Sequence, residues 1–269
     1  MIEKSVFNII CKRIKSVKIQ GASNVAKKAL YAYKLIPTKS SKKKLLGLRP
    51  TEPMLHKVLD LAEKKSYKEL MNRFDEAQDK MNKNVFRLIK KGDVIFTHCH
   101  STNVVKALIY AKRKGKGFEV YNTETRPLFQ GRKTAKELKR AGIKVTMFVD
   151  SALGVVLSKE QGTKKADKVF IGADAIMKNG IINKIGSETI AKLAQDEKIP
   201  VYIVTDSWKF SNKKVPLENR ELNEIWDNAP KGMKLRNPAF EFVPKKYIKG
   251  VVSELGVLNY GGFLEKVSK

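Results

Sequence analysis

A thiol between two imidazoles, His98-Cys99-His100, closes the apolar run VIFT, and Ser101-Thr102-Asn103 follows at once. A cysteine at a strand end, beside a helix start and among basic side chains, is placed to act as a thiolate base or nucleophile, because a positive field stabilises the anion. The same residue could be a small buried hydrophobe, and position alone leaves both uses open. Zinc is the third use of such a cluster. On a strand, His98 and His100 share one face and Cys99 takes the other, and only the isolated His56 and Cys11 remain to complete four ligands, so no metal is expected.

Asp174, in VFIGADAIMKNG, follows a second apolar run with Gly172 just before it. A carboxyl group desolvated there would stay protonated near neutrality and could act as a general acid; a turn-capping aspartate is the plainer use. Gly21-Ala22-Ser23, Ser101-Thr102-Asn103 and Gly186-Ser187 each precede a helical pattern, offering free backbone N–H groups at a positive helix end where phosphate binds well. Arg49, Arg126, Lys184 and Lys209 are candidate charge partners. No P-loop or GxGxxG dinucleotide fingerprint is present.

These residues need elements to position them. Up to about Lys91 the apolar period is helical: Val6, Ile10 and Ile14, then Val25, Ala29 and Tyr33, then a long pattern through Leu70, Phe74, Ala77, Met81, Val85 and Leu88. Between the second and the later helices TKSSKKK reads as a basic loop, followed by two more helices. After Gly92 short apolar runs alternate with helical segments: VIFTHC, FEVYNT, VTMFVD, KVFIGA and VYIVT, each expected as a strand buried on both faces. The fold class is therefore α/β, with an N-terminal helical domain over 1–91 and a Rossmann-like, mostly parallel doubly wound sheet over 92–269. A less regular stretch covers 213–237, FEFV reads as a strand, and an apolar helix is expected near Tyr247 to Leu255. In such sheets ligands bind beyond the carboxyl ends of the strands, which is where Cys99, Asp174 and a polar rim of Thr123 to Arg126, Asp150, Ser151 and Thr205 to Ser207 fall.

Composition sets the outer bounds. The chain has 269 residues and a formal net charge of +28, which points to an anionic partner or to a well-solvated lysine surface. Its 2 cysteines are far apart, which argues for a reducing compartment, and no apolar run is long enough to span a bilayer. With no secretory pattern in MIEKSVFNIICKRIK, a cytoplasmic location is expected.

Taken in order, THCHS, TETRPLFQGRKTAKEL, VDSA, GADAIMKNGIINKIGS and TDSWKFS resemble the family of translation initiation factor 2B regulatory subunits, methylthioribose-1-phosphate isomerase and archaeal ribose-1,5-bisphosphate isomerase. KIQGAS and LRPTEP extend the likeness weakly into the N-terminal part. The isomerases of that family carry a cysteine in the THC block and an aspartate in the GAD block, here Cys99 and Asp174. The resemblance thus implies an aldose-ketose isomerase that converts ribose 1,5-bisphosphate to ribulose 1,5-bisphosphate by proton transfer, with Cys99 as base, Asp174 as acid and no cofactor. It implies substrate contacts from the Gln20, Gly21, Ala22 and Ser23 motif, Arg49, Ser101, Thr102, Asn103, Asn183, Lys184 and Lys209. Gln20 and Ser23 depart from the family's Arg-Gly-Ala-Gly motif, and His100 replaces the more usual asparagine. The alternative is a non-catalytic regulatory subunit that senses a nucleotide or sugar phosphate. A homo-oligomer, dimer or hexamer, is expected, with VVSELGVLNYGGF as a candidate interface and a nucleotide as a candidate activator; nucleic acid is not expected, since no strand carries an RNP-type aromatic motif.

Overall fold

The computed structural model describes residues 2–158 and 162–268. Among these, the chain opens with helices α1 (Ile2–Lys15), α2 (Ala22–Leu35), α3 (Lys39–Leu48), α4 (Pro53–Leu61) and α5 (Tyr67–Leu88). The expected loop TKSSKKK is instead the start of α3. Thr38 caps it by accepting the Ser41 N–H at 3.2 Å, and Leu45 anchors its inner face at 0% exposure. Ser66 and Glu69 form a reciprocal capping box at the head of α5, with Ser66 N–H donating to Glu69 Oε2 at 2.8 Å. Helix α5 serves two cores. Leu70 and Phe74 pack among α1, α2 and α4, whereas Val85 and Ile89 at its far end pack against the sheet.

Strands and helices then alternate: β1 (Val94–Thr97), α6 (Thr102–Arg113), β2 (Glu119–Thr123), α7 (Gln130–Arg140), β3 (Lys144–Phe148), α8 (Leu153–Ser158), β4 (Lys168–Ile171). Next come β5 (Ala175–Met177), β6 (Gly180–Lys184), α9 (Ser187–Asp196), β7 (Val201–Val204), β8 (Phe240–Pro244), β9 (Gly250–Ser253), β10 (Gly256–Leu258) and α10 (Tyr260–Val267). Among the described residues the main sheet has 7 strands in the order β10-β9-β7-β4-β1-β2-β3, parallel except for β10. A small antiparallel sheet, β5-β6-β8, stands beside it.

Three further expectations are to be set against the structure. The apolar segment near Tyr247 to Leu255 is largely strand β9, because Val251 and Val252 are β-branched and sit wholly buried beside β7; the closing helix comes later, as α10. Strand β3 is an edge strand with Met147 exposed, so it is not buried on both faces. Of the candidate interface VVSELGVLNYGGF, Val251, Val252, Tyr260 and Phe263 belong to the monomer core, all under a tenth exposed, which leaves Val257 as its exposed large apolar side chain.

Strand order locates the site. From β1 the chain winds to β2 and β3 on one side, then returns to place β4 and β7 on the other. The carboxyl ends of β1 and β4 therefore flank the topological switch point, where an open α/β sheet leaves a crevice. Cys99 follows β1 and Asp174 follows β4.

Candidate active site

A cleft at this switch point spans about 890 Å³ of empty space including its open mouth. The main sheet supplies His98, Cys99, His100, Gly172 and Asp174; the N-terminal helices supply Gln20 to Ser23, Arg49 and Glu52; the small sheet adds Asn183 and Lys184; and Lys209 follows β7. Gly172 permits the close approach of β4 to α6: a Cβ there would stand 2.6 Å from Ser101 Oγ.

Cys99 lies just past the strand, in the left-handed region at φ 63, so the strand alternation expected for residues 98 to 100 does not hold. Its backbone is fixed on both sides. The Cys99 N–H donates to Thr125 Oγ1 at 3.0 Å, and Thr134 Oγ1 donates to the Cys99 carbonyl at 2.8 Å. Asp150 holds Thr125 in turn, accepting its N–H at 2.8 Å and that of Arg126 at 2.6 Å. The expected lowering of the Cys99 pKa is not what the surroundings produce. Burial pushes the thiol up to about 11, and the Lys184 charge and the His100 backbone N–H offset only part of that.

Asp174 is also raised above its ordinary value, first by burial, against the opposing charges of Lys209, Lys184 and Arg49. Lys209 is itself buried and donates to the Ala173 carbonyl at 2.6 Å, next to Asp174. Lys184 sits over the Phe240 ring at 4.9 Å.

Two carboxyls and a second arginine belong to the cleft without having been singled out from the sequence. Glu52 and Glu218 both reach Arg49 Nη2, at 3.2 and 3.1 Å. Burial and the nearby Asp174 push Glu52 up to about 7. Arg220 lies 3.5 Å from Glu218 and also pairs with Glu224. The spacing of Arg49 and Glu52 was a readable signal; Glu218 and Arg220 lie in an aperiodic segment that offered none. Arg49 therefore stands in the cleft with its charge already shared between carboxylates.

The three expected helix ends divide. Those of α2 and α6 face the cleft, with Gly21 at φ 82 leading into α2. The start of α9 does not, because Glu241 occupies it, accepting the Glu188 N–H at 2.7 Å. Arg126 is outside the cleft as well: its guanidinium lies over the Phe129 ring and reaches the Ile225 carbonyl at 3.5 Å. The other expected contacts, Gln20, Gly21, Ala22, Ser23, Arg49, Ser101, Thr102, Asn103, Asn183, Lys184 and Lys209, line it with Cys99 and Asp174. His98 is a buttress: its ring nitrogens meet Thr123 Oγ1 at 2.6 Å and the Ile185 carbonyl at 2.9 Å, tying β1 to β2 and to the end of β6. Among the described residues no group of His, Cys, Asp and Glu is arranged to hold a metal ion.

A parallel sheet with a thiol and a buried carboxyl after adjacent strands, in a cleft also lined by cations from the helical part, the small sheet and the turn after β7, defines an α/β protein with a cation-lined cleft at its switch point. The chain belongs to the Initiation factor 2 subunit family, whose sequence profile it matches over residues 2–260. It is 33% identical over 310 aligned positions to the ribose 1,5-bisphosphate isomerase of Methanocaldococcus jannaschii, covering 99% of both chains. The ribose 1,5-bisphosphate isomerase of Archaeoglobus fulgidus is 32% identical, covering 91% of this chain and 87% of that one. Among solved structures, the Pyrococcus horikoshii translation initiation factor eIF-2B superposes with a TM-score of 0.82 at 27% identity, covering 94% of this chain and 96% of that one.

Proposed function

We propose that this chain is an aldose-ketose isomerase that converts ribose 1,5-bisphosphate to ribulose 1,5-bisphosphate. The observation that carries the reading is the placement of Cys99 and Asp174 after neighbouring parallel strands, in one cleft lined by Arg49, Lys184 and Lys209. Near full-length similarity to isomerases of that name supports the substrate.

The chemistry closes on these two groups. Asp174, favoured as the neutral acid by burial, gives its proton to the ring oxygen as the bond from C1 to that oxygen breaks. Thiolate Cys99 takes the C2 proton, leaving an enol between C1 and C2. The Cys99 thiol returns that proton to C1 while the Asp174 carboxylate accepts the C2 hydroxyl proton, so the 2-ketose forms and both groups regain their starting states. With its pKa near 11 even beside Lys184, Cys99 ionises at neutral pH at a cost of roughly 5 kcal/mol, which the bound substrate must offset. The helix ends of α2 and α6 are the proposed phosphate seats.

The test is formation of ribulose 1,5-bisphosphate by the wild type, Cys99→Ser and Asp174→Asn. A loss of about 10²-fold or more in each variant is expected for a general acid or base. A wild type no faster than its variants would point instead to a regulatory, non-catalytic role. A homo-oligomer is part of the same reading: Met147 and Val149 at the β3 edge, and Leu217, Leu222 and Trp226 in the segment before β8, are exposed apolar side chains suited to a contact between copies. Light scattering after size exclusion tests it, and a monomer would refute it.

A further inference from the structure

The two histidines beside Cys99 differ in one respect that decides what each can do. His98 spends both ring nitrogens on protein partners, Thr123 and Ile185. His100 spends one. Its Nδ1 lies 3.1 Å from Thr134 Oγ1, and its Nε2 has no partner among the described residues.

The proton on that contact can be assigned. A threonine hydroxyl has a single proton, and Thr134 gives it to the Cys99 carbonyl at 2.8 Å. Thr134 can then only accept from His100, so Nδ1 carries the proton and Nε2 is left with a bare lone pair. Thr134 is 1% exposed, so water does not compete for the hydroxyl. Burial and the charge of Lys133 push His100 down to about 4, which keeps the ring neutral across the physiological range. Lys133 is the charged neighbour, and it sits within ion-pair reach of Glu137 at 3.9 Å.

A bare nitrogen lone pair repels phosphate oxygens and needs a donor. His100 lines the main cleft and also a second cavity that shares Gln20, Ser23, Thr102 and Asn103 with it, so the residue stands where the two meet. We infer that His100 accepts a hydrogen bond through Nε2 from a secondary ring hydroxyl of the sugar, O2 or O3, and so selects a substrate that carries that hydroxyl. This rests on the sugar-phosphate reading above and assigns His100 a recognition role within it.

The experiment uses ¹⁵N-histidine-labelled Cys99→Ser protein, which does not turn substrate over, titrated with ribose 1,5-bisphosphate and with its 2-deoxy and 3-deoxy analogues. The free protein should show His100 protonated on Nδ1 alone at pH 7. The ribose compound should shift the Nε2 resonance, and one of the two deoxy analogues should leave it in place. In the Cys99→Ser background, His100→Phe should weaken binding of the ribose compound about tenfold while binding that analogue as before. A proton on Nε2 in the free protein, an unmoved Nε2 at saturation with the ribose compound, or unchanged discrimination by His100→Phe each overturns the inference. Binding and a shifted Nε2 without turnover by the wild type would sink the isomerase reading and leave this one standing. Turnover with an unmoved Nε2 would do the reverse, and absence of binding by every compound overturns both.

Discussion

Replacing Arg73 by methionine removes the ion that joins the helical layer to the ends of β7 and β9. Arg73 leaves α5 to pair with Asp206, reaches Glu254 Oε1 at 2.6 Å and Ser207 Oγ at 3.3 Å, and stacks 3.9 Å from the centre of the Trp208 ring. Methionine keeps much of the packing and drops the charge. Asp206, 2% exposed, and Glu254 are then left facing each other as unpaired anions. Breaking a buried pair from one side costs ~3–5 kcal/mol, and the lower end applies here because Trp208 N–H still serves Asp206 at 2.9 Å and Ser207 N–H still serves Glu254 at 3.1 Å. A loss of about 3 kcal/mol corresponds to a fall in Tm of roughly 6–12 °C for a chain of this size.

The pH dependence separates charge from packing. Glu254 is already raised by burial and by Asp206, and without Arg73 it rises further. A carboxyl whose folded pKa exceeds its unfolded one destabilises the fold as pH climbs between the two values, and that penalty is absent when both states are protonated. The gap in Tm between wild type and Arg73→Met should therefore widen from pH 5 to pH 8, and adding Glu254→Gln to the variant should narrow it at pH 8. A fall in Tm below about 2 °C, or a gap that ignores pH, refutes the reasoning.

Gly172→Ala should shift Ser101 and the start of α6, costing about 1–3 kcal/mol of stability and weakening binding of a phosphorylated sugar by about tenfold; calorimetry with melting curves measures both. In a Cys11→Ser background, alkylation of Cys99 at pH 8 should run about two orders of magnitude slower than that of an ordinary thiol, and should keep accelerating up to about pH 11. Inorganic phosphate should bind more tightly below pH 7 than above it, because Glu52 titrates near 7 and its neutral form leaves Arg49 freer; Glu52→Gln should flatten the dependence between pH 6 and 8. Tyr260→Phe should cost about 1–3 kcal/mol in denaturant melts, since the Tyr260 hydroxyl spans the β5–β6 turn at 2.7 Å from the Met177 carbonyl and 2.5 Å from that of Gly180.

What the residues disclosed depended on how local the governing physics was. Apolar periodicity and helix starts are local, and they located β1, β2, β4, β7 and most helices. Asn179-Gly180 between AIM and IIN carries the hairpin signal for β5 and β6, although a reading of long alternating units passes over so short a pair. Strand order is not local, so the switch point that brings Cys99 and Asp174 together emerged only from the pairing of β1 with β4. Ionisation was least legible. That burial would raise the Cys99 thiol, that Glu241 would close the α9 end and that Arg49 would already hold Glu52 and Glu218 all depend on residues distant in the chain.

The main sheet owns the thiol and the carboxyl, yet two of the three cations around them are borrowed from outside it. Arg49 comes from the junction of α3 and α4, Lys184 from the end of the small sheet, and Lys209 from the turn after β7. Reactivity is a property of the chassis, and anion choice a property of fittings bolted on around it. Drift in any one fitting can retune which ligand is retained while the two strands that hold Cys99 and Asp174 stay as they are, so one ancestral scaffold can give rise to descendants with different cargoes.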